Sequence, residues 1–369
     1  MIKLLLVIPT LDRSGAEKQF SLLATRLPRD EFDVHCVALT RGGPYEAELA
    51  ARGIPLTILR KRFKFDPFTL RRLRRTVEQL QPDVMHTWLF AANAYGRIVA
   101  GNSPRPKVIV SERCVDTWKS GWQLWLDRRQ IDRTARLVAN SQAVADFYRQ
   151  QGFPAERIAV IPNGVEVPDA DPTFDRAAAL AKFDIPPEAA VIGYAGRLAR
   201  QKRVKDLIWG FQLLRQVVDR PVYFLIVGDG PERSRCERWG RSFGCTHLLR
   251  FAGHRDDAER LIGLFDVAWL ASDFEGLSNF IMEAMARGIP VVASDIPPNR
   301  ELVVDGETGF VVQVGDSVGF SQFTDRILAD PDMARRLGEA GRKRMREEFS
   351  VERMVAGHVE LYRGVLAGA

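Results

Sequence analysis

Two glutamates separated by seven residues are the most informative chemical pair in this sequence. Glu275 follows a short apolar run, and Glu283 falls inside an apolar stretch that predicts a helix over residues 279–287. Eight positions are just over two helical turns, so Glu283 faces the same side as the helix start. A carboxylate among apolar neighbours needs a partner, and a ribose diol would provide one. Backbone N–H groups at the start of a helix can hold a phosphate, and here they belong to Leu277, Ser278 and Asn279.

Two cations lie where a strand gives way to a helix. Arg197 and Lys202 follow the apolar residues 190–194. Arginine would clamp a diphosphate through its planar fork and lysine as a point charge, although solvated surface cations are the alternative. Gly15 opens a predicted helix after the first strand and leaves room for an anion at the helix N-terminus. The glycine fingerprint of dinucleotide-binding folds is absent there, which disfavours an oxidoreductase.

These residues sit in a chain whose apolar runs alternate with amphipathic stretches. Alternation of this kind predicts βαβ units and parallel sheets covered by helices, with ligands at the carboxyl ends of the strands. The predicted strands are residues 2–8, 32–39, 56–59, 84–86, 108–111, 138–140, 190–194, 222–227, 267–270 and 290–293. The predicted helices are residues 15–27, 68–80, 91–100, 142–150, 204–218, 231–243 and 279–287. The alternation breaks near residues 163–175, which predicts two domains, 1–165 and 166–350.

Length, composition and charge agree with this division. The chain has 369 residues, 46% hydrophobic and 27% charged, which excludes disordered, collagen-like and coiled-coil classes. Residues 1–165 carry 26 basic and 16 acidic side chains, a net of +10, whereas residues 166–369 carry 27 and 31, a net of −4. The longest early apolar run, Leu4–Ile8, is too short for a membrane span or a signal peptide. The four cysteines form no zinc pattern, so we expect an intracellular, cytoplasmic protein.

Taken together, the motifs resemble family 4 of the retaining nucleotide-sugar glycosyltransferases, which have the GT-B fold. The resemblance covers nearly the whole chain, and within the family the chain resembles enzymes of bacterial polysaccharide and lipid-linked glycan assembly. It implies an α/β protein with two doubly wound, Rossmann-like domains facing across a cleft, and a C-terminal helix, residues 351–369, packing back on the first domain. The matching segments are residues 14–17, 161–165, 196–198 with Lys202, the pair Glu275 and Glu283, and residues 300–310.

The resemblance also implies an activity and a role for each residue. The second domain would bind a sugar nucleotide, UDP-linked on family prevalence, and the first domain the acceptor. A hexose or N-acetylhexosamine would pass to a hydroxyl of a glycan or a polyprenyl-diphosphate-linked acceptor. Glu275 would contact the donor sugar, Glu283 the ribose and His254 the base region. The diphosphate would be held by Arg197 and Lys202, with backbone help from Gly15, Leu277, Ser278 and Asn279.

The acceptor side departs from the family pattern. Many relatives carry a histidine after the strand at 108–110, where this chain has Glu112 followed by Arg113. Within the family, a Ser-Glu-Arg sequence at this position resembles that of enzymes that extend lipid-linked sugars. His86 follows another short strand and could reach the acceptor, although a lone histidine at a strand end is more often structural. The glycine that usually follows the motif lysine is Arg203 here.

No second carboxylate is available to form a covalent intermediate, because Glu283 is assigned to ribose. We therefore expect front-face attack, with the leaving diphosphate stabilised by cations and helix N–H groups. No D-x-D motif is present, so we expect neither a metal nor another cofactor. The alternatives are a nucleotide-sugar epimerase of similar architecture and a non-catalytic nucleotide-sugar-binding protein; the intact cations and glutamates favour a transferase. Nucleic-acid binding is disfavoured because no known module is present.

The basic half contains a segment typical of membrane surfaces. Residues 60–75 include eight basic side chains and one acidic, with phenylalanines between them. Trp118, Trp122 and Trp125 fall on one face of a helix if that segment is helical, although an ordinary tryptophan core is the alternative. We expect docking on an anionic membrane surface, at the inner face of the cytoplasmic membrane.

Overall fold

The computed structural model describes residues 1–117, 119–169, 171 and 173–368. It divides into two compact units of similar size. The first unit comprises residues 1–164 together with 351–369, and the second comprises residues 165–350. The described part of the chain has no helix that combines the length and the hydrophobicity needed to cross a membrane.

The first unit is built on a seven-stranded parallel sheet. Its strands are β1 (Ile2–Thr10), β2 (Phe32–Arg41), β3 (Leu56–Ile58), β4 (Val84–Trp88), β5 (Lys107–Glu112), β6 (Arg136–Ala139) and β7 (Ile158–Val160). They lie in the order β3-β2-β1-β4-β5-β6-β7. The helices are α1 (Gly15–Arg26), α2 (Tyr45–Ala51), α3 (Pro67–Leu80), α4 (Leu89–Ala100), α5 (Gly121–Arg129), α6 (Gln142–Gln150) and, from the C-terminus, α15 (Val351–Ala367).

Both faces of this sheet are covered, as expected for parallel strands. Alternate residues of β1 point to opposite sides, so Leu4 and Leu6 enter one hydrophobic core and Leu5 and Val7 the other. The first core is closed by α1 and α15, and the second contains residues of α3, α4 and α6. This explains why the strands read as continuous apolar runs.

The second unit repeats the architecture with six parallel strands. They are β8 (Ala190–Ala195), β9 (Val222–Val227), β10 (Leu249–Gly253), β11 (Val267–Leu270), β12 (Val291–Ser294) and β13 (Gly309–Val312), in the order β10-β9-β8-β11-β12-β13. The helices are α7 (Arg176–Ala181), α8 (Val204–Leu214), α9 (Arg233–Ser242), α10 (Ala258–Ile262), α11 (Asn279–Ala286), α12 (Pro297–Leu302), α13 (Ser317–Ala329) and α14 (Pro331–Glu348).

Each sheet reverses its strand order once. In the first unit the reversal lies between β1 and β4, and in the second between β8 and β11. Loops that leave two such strands go to opposite faces of the sheet, which opens a crevice at their carboxyl ends. The prediction of two Rossmann-like domains is thus confirmed, and these two crevices are where ligand chemistry is expected.

Candidate functional site

The crevice of the second unit brings together two residues that lie far apart in sequence. Lys202 ends a short 3₁₀ turn after β8, and Glu275 lies in the loop after β11. The Lys202 ammonium donates to Glu275 Oε1 and forms an ion pair with it. Glu275 is buried and Lys202 half-buried, so this charge pair lies at the carboxyl ends of adjacent strands with limited access to water.

Three further contacts join the same two loops. Gln201 Nε2 donates to the carbonyl of Phe274 at 2.6 Å, and the amide of Asp273 donates to the carbonyl of Gln201 at 2.9 Å. Arg203 Nη1 lies 3.0 Å from Asp273 Oδ1. The position of the Lys202 ammonium is therefore fixed by its backbone as well as by its partner.

Arg203 is the residue at which the chain departs from the family pattern after the motif lysine, and its conformation and contacts show how an arginine fits there. Its φ is 48° and its ψ 39°, a left-handed conformation in which glycine is favoured. The side chain is held by Asp206 at 2.6 Å and by Asp273, and these ion pairs stabilise an arginine where glycine would be less strained.

The loop that carries Arg197 rests on a second glycine loop. Gly228 has a φ of 128°, and a Cβ atom there would lie 2.0 Å from the carbonyl oxygen of Gly196. A Cβ atom at Gly230 would lie 2.4 Å from the carbonyl oxygen of Leu198. Only glycine lets the two backbones approach this closely. The Arg197 side chain itself is exposed above this packed base.

Apart from Gly15, the other predicted donor residues lie on neighbouring elements of the same unit. Glu283 is half-buried within α11, whose N-cap Ser278 accepts from the amide of Ile281 at 3.4 Å. Leu277 and Asn279 flank this cap. His254 is exposed directly after β10. The structure therefore brings Lys202 and Glu275 into contact and places Arg197, His254 and residues 277–279 in the loops or at the helix start that follow β8, β10 and β11. Glu283 lies inside α11.

In the first unit, Gly15 is the first residue of α1 and is exposed. The preceding Ser14 donates its hydroxyl to Glu17, which also accepts from Thr10 Oγ1 at 3.1 Å. Burial raises the pKa of Glu17, and these two hydroxyls partly offset that effect. The start of α1 thus contains a buried carboxyl of its own.

His86 is held on both ring nitrogens. Nδ1 lies 2.7 Å from the Tyr362 hydroxyl on α15, and Nε2 lies 2.9 Å from the Ser111 hydroxyl. The ring is fully buried, and its burial lowers its pKa well below the ordinary value. These contacts give His86 a structural role, tying α15 to the sheet, and leave no ring nitrogen for an acceptor.

Glu112 belongs to a buried charge cluster that sequence reasoning did not detect. Its carboxylate accepts from Asn93 Nδ2 at 2.9 Å and lies 3.4 Å from the ammonium of Lys119. Lys119 also contacts Asp116 at 3.0 Å and Asp127 at 3.1 Å. Burial raises the pKa of Glu112 to about 7, against the opposing effect of Lys119. Nothing in the sequence around residue 119 signals this partner.

Arg113, the next residue, points to different neighbours. Its guanidinium lies over the ring of Trp88, 4.4 Å from the centroid, and Nη2 donates to Asn163 Oδ1. Glu112, the last residue of β5, is therefore a carboxylate paired with a lysine, whereas the next residue, Arg113, is a buried cation that lies on an aromatic ring. Elsewhere, no group of three His, Cys, Asp or Glu side chains among the described residues is arranged to hold a metal ion. A reaction without a metal ion or another cofactor stays a prediction.

Two successive Rossmann-like domains, each with its polar residues in loops at the carboxyl ends of the strands, define the GT-B class of fold. Comparison with known families agrees with that class. Residues 13–168 match the family described as "Glycosyltransferase Family 4", and residues 175–344 match "Glycosyl transferases group 1". The chain belongs to the family 4 glycosyltransferases.

Similarity to individual relatives covers only part of the chain. The chain is 32% identical over 227 residues, 61% of its length, to the lipopolysaccharide core biosynthesis glycosyltransferase LpsE of Rhizobium meliloti. It is 27% identical over 185 residues, 50% of its length, to the N-acetyl-alpha-D-glucosaminyl L-malate synthase of Bacillus anthracis. These matches span 63% and 48% of the relatives' own lengths.

A solved structure agrees on the fold. Anabaena HepE in complex with UDP and glucose superposes with a TM-score of 0.87 at 21% identity, and the match covers 99% of this chain and 100% of that chain. At this identity the likeness establishes the fold alone.

Proposed function

We propose that this protein is a retaining glycosyltransferase. It moves a hexose or N-acetylhexosamine from a UDP-linked donor to a hydroxyl of a glycan or of a polyprenyl-diphosphate-linked acceptor. The observation that carries the proposal is the Lys202–Glu275 pair at the crevice of the second unit, beside the loop that presents Arg197. Family membership and the UDP complex of HepE support the choice of donor.

The charges at this crevice suit a diphosphate leaving group. Negative charge develops on the diphosphate as the glycosidic bond breaks, and fixed cations at its position stabilise that charge in the transition state. Arg197 offers an exposed guanidinium, whereas Lys202 offers an ammonium held in place by two loops. Glu275 would face the donor sugar, Glu283 the ribose hydroxyls and His254 the base region. The reaction would need no metal ion.

The acceptor is assigned to the first unit, with envelope glycans or their lipid-linked precursors as the substrate class. The name of LpsE, which refers to lipopolysaccharide core biosynthesis, supports this choice. Glu112 would act indirectly, through the buried cluster with Lys119, because its carboxylate is 2% exposed.

A peripheral position on the cytoplasmic face of the membrane completes the proposal. Phe63, Phe65 and Phe68 are between 65% and 69% exposed, in or beside the basic residues 60–75. Trp122 and Trp125 are 60% and 55% exposed, so these two do not form an ordinary core. Trp118 lies outside the described residues. The segments that carry these aromatic side chains both contact α4: Trp122 packs on Phe90, and Lys61, in residues 60–75, lies over the ring of Tyr95.

The proposal is tested by donor binding and by turnover. We expect UDP to bind to the wild-type chain in calorimetry and to raise its thermal midpoint, as a ligand of the native state does. Arg197→Ala should weaken UDP binding at least tenfold, whereas Arg200→Ala, an exposed arginine three residues away, should not.

A panel of UDP-sugars with polyprenyl-linked and soluble acceptors then separates the alternatives. Acceptor-dependent transfer with retained anomeric configuration supports the transferase. Conversion of the donor sugar without an acceptor would identify an epimerase, and binding without any turnover would identify a binding protein.

A further inference from the structure

Arg113 is a buried cation for which the described residues provide no acidic partner. It is 9% exposed, and its guanidinium contacts the amide oxygen of Asn163 and the face of Trp88. Two other buried cations of the same unit differ in this respect. Arg97 lies 2.8 Å from Asp127, and Lys119 is surrounded by three carboxylates. A buried charge that lacks a counter-charge is destabilising, so its presence calls for an explanation outside the stability of the fold.

The polar groups around Arg113 also remain incompletely satisfied. Arg113 Nη1 and Trp88 Nε1 are buried N–H donors with no hydrogen-bond partner among the described residues. Asn140 Oδ1 is a buried acceptor in the same condition, while its Nδ2 lies 3.4 Å from the Arg113 carbonyl. Buried polar groups in native proteins are paired with few exceptions, and exceptions grouped together indicate a missing partner. Here the missing partner must accept from two donors and carry negative charge.

The position in the fold is that of a ligand site. Trp88 ends β4, Arg113 follows β5, Asn140 follows β6 and Asn163 follows β7. These four strands are neighbours in the sheet, and the residues lie at its carboxyl edge.

The other titratable groups against Trp88 are two histidines, which cannot supply the missing negative charge. His86 and His358 have ring centroids 5.4 Å and 6.3 Å from Trp88. Burial and the Arg113 charge lower the pKa values of both, that of His358 to about 4, so neither adds charge near neutral pH.

We propose that the carboxyl edge of β4–β7 is an oxyanion site in which Arg113 supplies the charge, Trp88 Nε1 a second donor and Asn140 an acceptor for a neighbouring hydroxyl. The site takes the phosphate or carboxylate of an acidic, hydroxylated acceptor. That this anion belongs to an acceptor rests on the function proposed above, whereas the anion site itself does not.

The test uses the full chain with inorganic phosphate and with acetate, each compared with chloride at equal ionic strength. At least one of the two anions should raise the wild-type thermal midpoint in a saturable manner. Phosphate alone would identify a phosphorylated acceptor, and acetate a carboxylate. Arg113→Met should abolish the response, while Arg128→Met, an exposed arginine of the same unit, should keep it.

A second readout guards against a merely structural role. Without ligand, Arg113→Met should have a midpoint equal to or higher than the wild type, because it removes a buried charge that has no counter-charge. Arg97→Met, which breaks a buried ion pair, should have a lower one. A clear loss of stability in Arg113→Met would overturn the proposal.

The donor site must be distinguished from this one, because phosphate could also bind at Arg197. The anion response should survive in Arg197→Ala, and Arg113→Met should retain UDP binding. A response lost in Arg197→Ala but kept in Arg113→Met would overturn the proposal, as would no response to either anion. If the wild type bound phosphate through Arg113 but never bound UDP, the anion site would stand and the proposed transferase would fail.

Discussion

Lys202 and Glu275 cannot be treated as independent residues, because each is the other's counter-ion. Removing the lysine leaves a carboxylate that is 8% exposed without its partner, and such a charge is costly in a partly dry environment. A loss of activity in a lysine variant could therefore reflect local unfolding instead of a lost diphosphate contact. The two effects can be separated by restoring neutrality at Glu275.

We predict that Lys202→Ala lowers both the thermal midpoint and kcat, the latter by about 10²–10³, the usual effect of losing one donor to a developing oxyanion. In the Lys202→Ala background, Glu275→Gln should recover most of the midpoint and none of the turnover. Glu275→Gln alone should lower kcat more than UDP affinity, and Glu283→Gln the reverse. Recovery of turnover in the double variant would show that Lys202 serves only to neutralise Glu275.

Sequence reasoning selected these residues individually and could not pair them. Seventy-three positions separate Lys202 from Glu275, and only the adjacency of β8 and β11 brings them together. Glu112 shows a second limit of sequence reasoning. Its position in the chain suggested an acceptor contact, but Lys119 and Asn93 engage its carboxylate, and a pattern of residue types carries no record of such long-range partners.

At the level of elements, strands buried on both faces were the easiest to predict. Helix α6 has the predicted bounds, Gln142–Gln150, because its apolar spacing is regular and Ser141 caps it. Strand β2 runs two residues beyond its prediction, to Arg41, since backbone pairing continues where the apolar pattern stops. Helix α5 is half-exposed with no clear apolar face, which left Trp122 and Trp125 open to either interpretation.

Helix α15 is attached to the first sheet through aromatic and histidine contacts. His358, fully buried on this helix, bonds its own turn through Nδ1 and the Met354 carbonyl at 2.8 Å. Burial lowers the pKa of His358 to about 4. Between pH 6.5 and 4 the unfolded chain therefore binds a proton that the folded chain excludes, and the free energy of unfolding falls as the pH is lowered.

We predict that His358→Phe removes this dependence. From pH 7 to 5 the wild type should lose about 2 kcal/mol through His358, and the variant should not. Glu112, with a pKa raised to about 7, opposes this trend because protonation stabilises its folded form, so the difference between wild type and variant is the quantity to measure. Denaturant unfolding at both pH values provides it, with the exposed His254→Gln as control. Equal slopes in wild type and His358→Phe would contradict the prediction.

At the scale of the whole molecule, the basic charge and the exposed aromatic side chains are concentrated in one unit. The chain has a net charge of +6, and residues 1–165 alone carry +10 from 26 basic and 16 acidic side chains. Helix α3 presents Arg71, Arg74 and Arg75 to solvent, while Arg72 lies 3.9 Å from the buried Asp66. Basic residues near an anionic membrane contribute about 1 kcal/mol each, and exposed aromatic rings favour the interface.

We therefore predict that the chain co-sediments with anionic but not with neutral liposomes, and that salt weakens this binding because screening shortens the field. Charge reversal at Arg71, Arg72, Arg74 and Arg75 should abolish the binding. Replacing Phe63 and Phe65 with serine should weaken the binding that remains at high salt, where burial of apolar rings is less affected by screening. UDP affinity should stay unchanged in all these variants, since none of them alters Gly15 and the other donor residues belong to the other unit. Equal partitioning onto both kinds of liposome, or none onto either, would remove the membrane from the proposal and leave a soluble acceptor as its substrate.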